Sequence, residues 1–268
     1  MDILEKIIAH KKKEVEAKEA IVSRTELEMS PFFEYRGPSL TAALKAKGAS
    51  GIIAEFKRRS PSKGWLHETA QAEEVARGYA QAGASGMSVL TDVSFFGAQA
   101  DDFAQVRQTV GLPLLRKDFM VSEYQILEAK AMGADVVLLI AACLTPLQIR
   151  EMARLARHLG LEVLLEVHQT QELEASLNEY INLVGVNNRN LKTFEVRLET
   201  SLALAEIIPE GIVKISESGL SQPESVRMLR AAGYQGFLMG ELFMKQSHPG
   251  EACQDFIAQT QSLPTTSP

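Results

Sequence analysis

Glu55 and Lys57 stand two residues apart at the end of the apolar run Gly51-Ile52-Ile53-Ala54. Short runs rich in β-branched residues suit a strand buried on both faces. Side chains alternate along a strand, so Ile53, Glu55 and Lys57 leave one face while Ala54 and Phe56 leave the other. A carboxylate and an ammonium therefore share the C-terminal end of one strand. The loop Ser60-Pro61-Ser62-Lys63-Gly64 follows. Further along, Arg116-Lys117-Asp118-Phe119, Glu166, Asn187-Asn188-Arg189-Asn190, Ser216-Glu217-Ser218-Gly219 and Gly240-Glu241 each close a strand-like stretch. Two acids (Glu55, Glu166) and two lysines (Lys57, Lys117) in one enclosed mouth would shift each other's proton affinities. That is an acid–base set without a metal. The histidines are scattered, with no H-E-x-x-H, and His67 and His168 are read as neighbours of the site rather than substrate contacts.

These residues need elements to hold them. From residue 51 the chain alternates between short apolar runs and amphipathic stretches. Strands are expected at 52–56, 86–90, 112–116, 135–141, 162–166, 181–186, 212–215 and 236–239. Helices are expected at 69–82, 100–109, from the Ser122 cap to 133, 145–160, from Thr170, 198–208, 221–233 and 251–261. Eight strand–helix repeats point to an α/β fold, a (β/α)8 TIM barrel; an open doubly wound sheet would want a G-x-G-x-x-G after the first strand, and there is none. The expected organisation is one barrel domain over 1–262, in which 1–47 form an N-terminal helical extension outside the strand–helix repeats, and a frayed tail over 263–268. Barrel active sites lie at the C-terminal strand ends, where the polar residues collect. Ser218, Gly219, Gly240 and Glu241 occupy the position of a barrel phosphate cradle built of backbone N–H groups, with Lys57 adding charge.

The bulk composition excludes several classes. The chain has 268 residues, 46% of them hydrophobic, enough for a large core. A net charge of -6 argues against nucleic acid or an anionic membrane as partner. No apolar run reaches the length of a membrane span, and the Glu-rich N-terminus does not read as a signal peptide. A soluble, cytoplasmic protein is expected. Cys143 and Cys253 show no metal-ligand spacing, and Cys143 is read as a buried free thiol. Lys11-Lys12-Lys13 are read as the solvated face of an N-terminal helix.

The motifs GIIAEFKRRSPSKG (51–64), LTD (90–92) with Phe95-Phe96, LLRKDF (114–119), LLEVH (164–168), GVNNRNL (185–191), ESGL (217–220) and GELFM (240–244) together resemble the indole-3-glycerol-phosphate synthase family. The resemblance runs over nearly the whole chain. It implies a carbon–carbon lyase of tryptophan biosynthesis that works on a small phosphorylated anthranilate–sugar substrate without a cofactor. That substrate, 1-(2-carboxyphenylamino)-1-deoxyribulose 5-phosphate, undergoes ring closure, decarboxylation and dehydration. On this resemblance Glu55, Lys57, Lys117, Glu166 and Asn187 are catalytic, Lys117 being the general acid. Ser60, Phe96, Phe119, Arg189, Glu217 and Ser218 bind substrate, the two phenylalanines walling the anthranilate ring and the N-terminal extension over 1–47 covering the mouth. Transient contact with other enzymes of the pathway is a further implication. After Phe95-Phe96 the family commonly has Gly-Ser, where this chain has Gly97-Ala98-Gln99. The alternatives left open are phosphoribosylanthranilate isomerase, a Schiff-base aldolase, and a phosphate-binding barrel without turnover.

Overall fold

Each of the eight apolar runs forms a strand: β1 (Ile52–Phe56), β2 (Gly86–Leu90), β3 (Leu114–Lys117), β4 (Val136–Ile140), β5 (Glu162–Val167), β6 (Leu183–Asn187), β7 (Val213–Glu217) and β8 (Gly236–Met239). All neighbours are parallel, and β1 pairs with both β2 and β8, so the sheet closes into a barrel with no edge. The computed structural model describes residues 3–190 and 193–262; the expected fraying of 263–268 lies outside them.

The period of two sorts the core into two regions. Inside the barrel Ile53, Leu115, Leu164 and Ile215, from the odd-numbered strands, meet Val136, Leu138, Ile140, Leu183 and Leu238 from the even-numbered ones. Ile52, Ala54 and Phe56 face outward into the larger layer between strands and helices. The two regions match the packed interior and outer helical ring of a (β/α)8 barrel.

Helix ends follow local side-chain chemistry. Ser122 accepts from the Tyr124 N–H, and Thr145 forms a capping box with Gln148 ahead of Pro146. Thr170 and Ser221 do not cap as expected: those helices start behind Gln169 and Gln222, neither of which makes a side-chain cap.

The N-terminal region holds α1 (Ile3–Ile21), α2 (Arg24–Glu28) and α3 (Leu40–Lys45). Only part of it covers the mouth. Ile3, Leu4 and Ile7 of α1 line the cavity at the C-terminal strand ends. In contrast, Leu40 and Leu44 of α3 enter the barrel's inner cluster from the opposite end. There a Cβ on Gly86, the first residue of β2, would lie 2.6 Å from Leu40. The expectation of a solvated lysine run is also corrected. Lys12 and Lys13 are exposed, but Lys11 is fully buried, 2.8 Å from Asp92 and 3.0 Å from Asp118. Cys143, expected to be a buried thiol, is free but only half-buried, at the end of a 3-10 turn after β4.

The loop after β1 is more ordered than its Ser-Pro-Ser-Lys-Gly composition suggests. Arg59–Ser60 and Gly64–Trp65 pair as an antiparallel hairpin. Buried Arg58 anchors it, donating to both Asp102 carboxylate oxygens and to the Ala70 and Gly97 carbonyls. The Gly97-Ala98-Gln99 departure belongs to this anchor: the Gln99 N–H donates to Asp102 at 2.7 Å, and none of the three residues lines the cavity. Removing one partner of a buried ion pair strands the other charge. Arg58→Met is therefore expected to lower stability by about 3–5 kcal/mol, measured by urea unfolding; a loss under 1 kcal/mol would contradict this role.

Candidate active site

At four strands the inward-facing apolar residue is followed, one pleat further on, by a charged one. Ile53 leads to Glu55 on β1, Leu115 to Lys117 on β3, Leu164 to Glu166 on β5, and Ile215 to Glu217 on β7. Alternate strands contribute to one layer of a barrel interior. These four residues thus form the layer above the apolar plug, at the floor of a cavity of about 430 Å³. Every residue named above as catalytic, substrate-binding or phosphate-binding lines this single cavity: Glu55, Lys57, Ser60, Phe96, Lys117, Phe119, Glu166, Asn187, Arg189, Glu217, Ser218, Gly219, Gly240 and Glu241.

Lys117 is the hub. Its Nζ donates to Glu166 Oε2 at 2.8 Å and to Glu217 Oε2 at 2.9 Å. Asn187 Nδ2 donates to Glu166 Oε1 at 3.0 Å. His168 stands beyond it, Nε2 3.5 Å from the same oxygen and Nδ1 3.3 Å from Glu172. It touches Glu166 rather than the cavity, in keeping with the neighbour role read from its position; His67 does not line the cavity. Lys57 forms an ion pair with Glu55. Two glycines make room for these carboxylates. A Cβ on Gly185 would fall 2.3 Å from Glu217 Oε1, and one on Gly240 would fall 2.7 Å from Glu55 Oε2.

Burial and charge act against each other here. Burial works to discharge Lys117, but Glu166, Glu217 and Glu55 outweigh it and hold the ammonium above its ordinary range. Burial also disfavours ionised Glu166, yet Lys117 and His168 prevail and keep it well below the usual carboxylate range. Glu217 goes the other way. Burial, with repulsion from Glu166 and Glu55, overcomes the attraction of Lys117 and pushes it up to about 7. Its Oε1 is also buried without a hydrogen-bond partner. One ammonium between two carboxylates thus leaves one of them exchanging its proton near neutrality.

The remaining walls divide by chemistry. Phe96 and Phe119 sit 6.1 Å apart between ring centroids and, with Leu138, Ile140 and Ile7, make an apolar side. Across from it, Ser218 (φ 66°) and Gly219 (φ 77°) adopt successive left-handed conformations after β7. Gly240 leads into the short helix Glu241–Met244. The Glu241 carboxylate is turned toward Lys245, with Arg189 3.9 Å away. The helical spacing of Ile3, Leu4 and Ile7 marks an apolar stripe, but not that these residues line the cavity, because α1 reaches the mouth only through the tertiary fold.

A closed (β/α)8 barrel with an acid–base layer and an apolar wall at its C-terminal face defines an enzyme of the barrel class. Fold comparison agrees on the barrel architecture. A solved structure described as native KDPGal aligns with TM-score 0.55 at 15% identity, covering 78% of this chain and 91% of that one. A thiamine phosphate pyrophosphorylase from Pyrococcus furiosus aligns with TM-score 0.59 at 16% identity, covering 84% and 100%. Sequence comparison is more specific. The model of indole-3-glycerol phosphate synthase matches residues 4–256. Indole-3-glycerol phosphate synthases of Bacteroides thetaiotaomicron (48% identity, 97% of this chain and 99% of that one) and Bordetella pertussis (46%, 96% and 99%) match nearly end to end. The chain belongs to the indole-3-glycerol phosphate synthase family.

The raised Glu217 couples stability to pH. A carboxyl whose folded value lies above 4.5 stabilises the fold below that pH, and the contribution is lost as pH rises through about 7. Its full span corresponds to about 3 kcal/mol. Glu217→Gln, which cannot ionise, is expected to gain on the wild type between pH 5 and pH 8 in urea unfolding. A constant difference across that range would exclude the raised value.

Proposed function

We propose that this cavity carries out the indole-3-glycerol phosphate synthase reaction, a carboxy-lyase chemistry within tryptophan biosynthesis. The observation that carries the residue assignment is the Lys117 ammonium held between Glu166 and Glu217 beside an apolar wall. The substrate's anthranilate ring lies against Phe96 and Phe119. Its phosphate meets the backbone N–H groups of Ser218, Gly219, Gly240 and Glu241, and Lys57 grips the carboxylate and the phosphate end. Ser60 and Arg189 close the rim.

As the ring carbon bearing the carboxylate attacks the substrate carbonyl, charge develops on the carbonyl oxygen. Lys117 donates a proton to that oxygen, stabilising it in a site shielded from water. The carboxylate then leaves as carbon dioxide, its bonding pair restoring the aromatic ring. Loss of the new hydroxyl with one carbon-bound proton forms the second ring's double bond and releases water. Glu166, kept ionised and oriented by Asn187, is the acid–base partner in that dehydration, with Glu55 beside it. Glu217, hydrogen-bonded to Lys117 and raised to about 7, is placed to return a proton to that lysine. The steps call for no cofactor, and we place the enzyme in the cytoplasm. None of the helices in the described residues is long and apolar enough to cross a membrane.

A Schiff-base mechanism requires a neutral lysine, and the carboxylates around Lys117 favour the charged form. Lys117→Ala is expected to lower kcat by about 10²–10⁴-fold or more, with KM changed little, followed as fluorescence of the indole product. Wild-type turnover should persist after chelator treatment, and borohydride should trap no adduct. Near-normal kcat in the variant would overturn the assignment.

A further inference from the structure

The buried stripe of α1 is Ile7, Lys11 and Val15, one residue per turn, and its middle member is charged. Lysine almost never occupies such a position unless its charge is matched. Here it is matched by two carboxylates on the barrel. Lys11 Nζ lies 2.8 Å from Asp92 Oδ2 and 3.0 Å from Asp118 Oδ1, with Glu14 of its own helix also at 3.0 Å.

Those two aspartates do specific work. Asp92 Oδ1 accepts the Phe95 N–H at 2.7 Å and so caps the helical turn Val93–Phe96. Asp118 follows Lys117 directly, and its Oδ1 accepts the Phe119 N–H at 2.8 Å. Its Oδ2 accepts from Thr91 at 2.6 Å and from Arg116 at 3.3 Å, and Arg116 continues to Glu128. One carboxylate therefore fixes the backbone that carries Phe96, and the other the backbone that carries Phe119. Because both contact one ammonium, they can be no further apart than the two contact distances together.

We propose that Lys11 is a positioning residue: it sets the separation of the Phe96 and Phe119 walls, and locks α1 over the cavity as a fixed wall. This rests on the reading that the two rings hold the substrate's anthranilate moiety. The predicted effect falls on binding of the aromatic end and spares Lys117, Glu166 and the phosphate cradle on the opposite side. Without Lys11, Asp92 loses its cation and Asp118 keeps only Arg116, so nothing holds the two backbone segments at a fixed separation.

The test is Lys11→Met, which keeps an unbranched side chain of similar size, assayed for turnover of the carboxyphenylamino substrate and for competitive inhibition by inorganic phosphate. Wild-type turnover under the same conditions first checks the functional reading, so its failure is separable. The expected result is a KM raised about tenfold, kcat within about threefold, and a phosphate inhibition constant within about twofold of wild type. If Lys11→Met does not fold, the same measurements are made on Lys11→Met/Asp92→Asn, which removes the facing charge and keeps a good N-cap. KM unchanged in a folded variant, phosphate inhibition moving as much as KM, or a double variant that also fails to fold would each overturn the proposal.

Discussion

One ammonium shared by two buried carboxylates constrains the whole upper half of this molecule. Lys117, Glu166 and Glu217 come from three different strands, and their contacts of 2.8 and 2.9 Å leave little tolerance in strand register. An ionised group buried without such partners would discharge instead. The barrel must therefore hold β3, β5 and β7 in a fixed stagger, and closure of the sheet does this by removing every free edge. Gly185 on β6 and Gly240 just after β8 serve the same constraint. Gly185 makes room for Glu217 and Gly240 for Glu55.

Much of this layer was legible in the sequence because a strand repeats every two residues. Ile53 with Glu55, Leu115 with Lys117, Leu164 with Glu166 and Ile215 with Glu217 follow one rule, an apolar plug residue and then a functional one. Strand alternation converts that pattern directly into shared direction. The rule fails for residues whose role depends on packing between distant segments. Lys11 looked like one of three solvated lysines, and its burial is set by Asp92 and Asp118, more than eighty residues away. The hairpin after β1 was hidden for a similar reason. Ser-Pro-Ser-Lys-Gly has loop composition, and its order comes from Arg58 reaching Asp102, which follows the neighbouring strand β2. The two halves of the N-terminal extension were likewise indistinguishable as sequence, though α1 meets the top of the barrel and α3 its bottom.

Chemistry and identity rest on different supports. Acid–base capacity follows from charge and burial at the strand ends, and a barrel at 15–16% identity to other solved structures carries the architecture alone. The substrate comes from the family, whose model spans nearly the entire chain. The two lines meet at the cavity: its apolar side suits an aromatic ring, and its backbone-lined side suits an anion.

The charge balance of that cavity has a consequence for anion binding. Lys57, Lys117, Arg189 and Lys245 face it, but so do Glu55, Glu166, Glu217 and Glu241. Each cation already has a carboxylate close by, so the pocket of this net-negative chain is not a simple cationic trap. An incoming phosphate and carboxylate must compete for those cations. Protonation of Glu217 tips the balance toward positive charge, and it happens near neutrality. Linkage requires the converse: an anion that binds better to the protonated pocket also promotes proton uptake there. Substrate arrival and the loading of an acid–base group are thus two sides of one equilibrium, and it turns on the ammonium between Glu166 and Glu217.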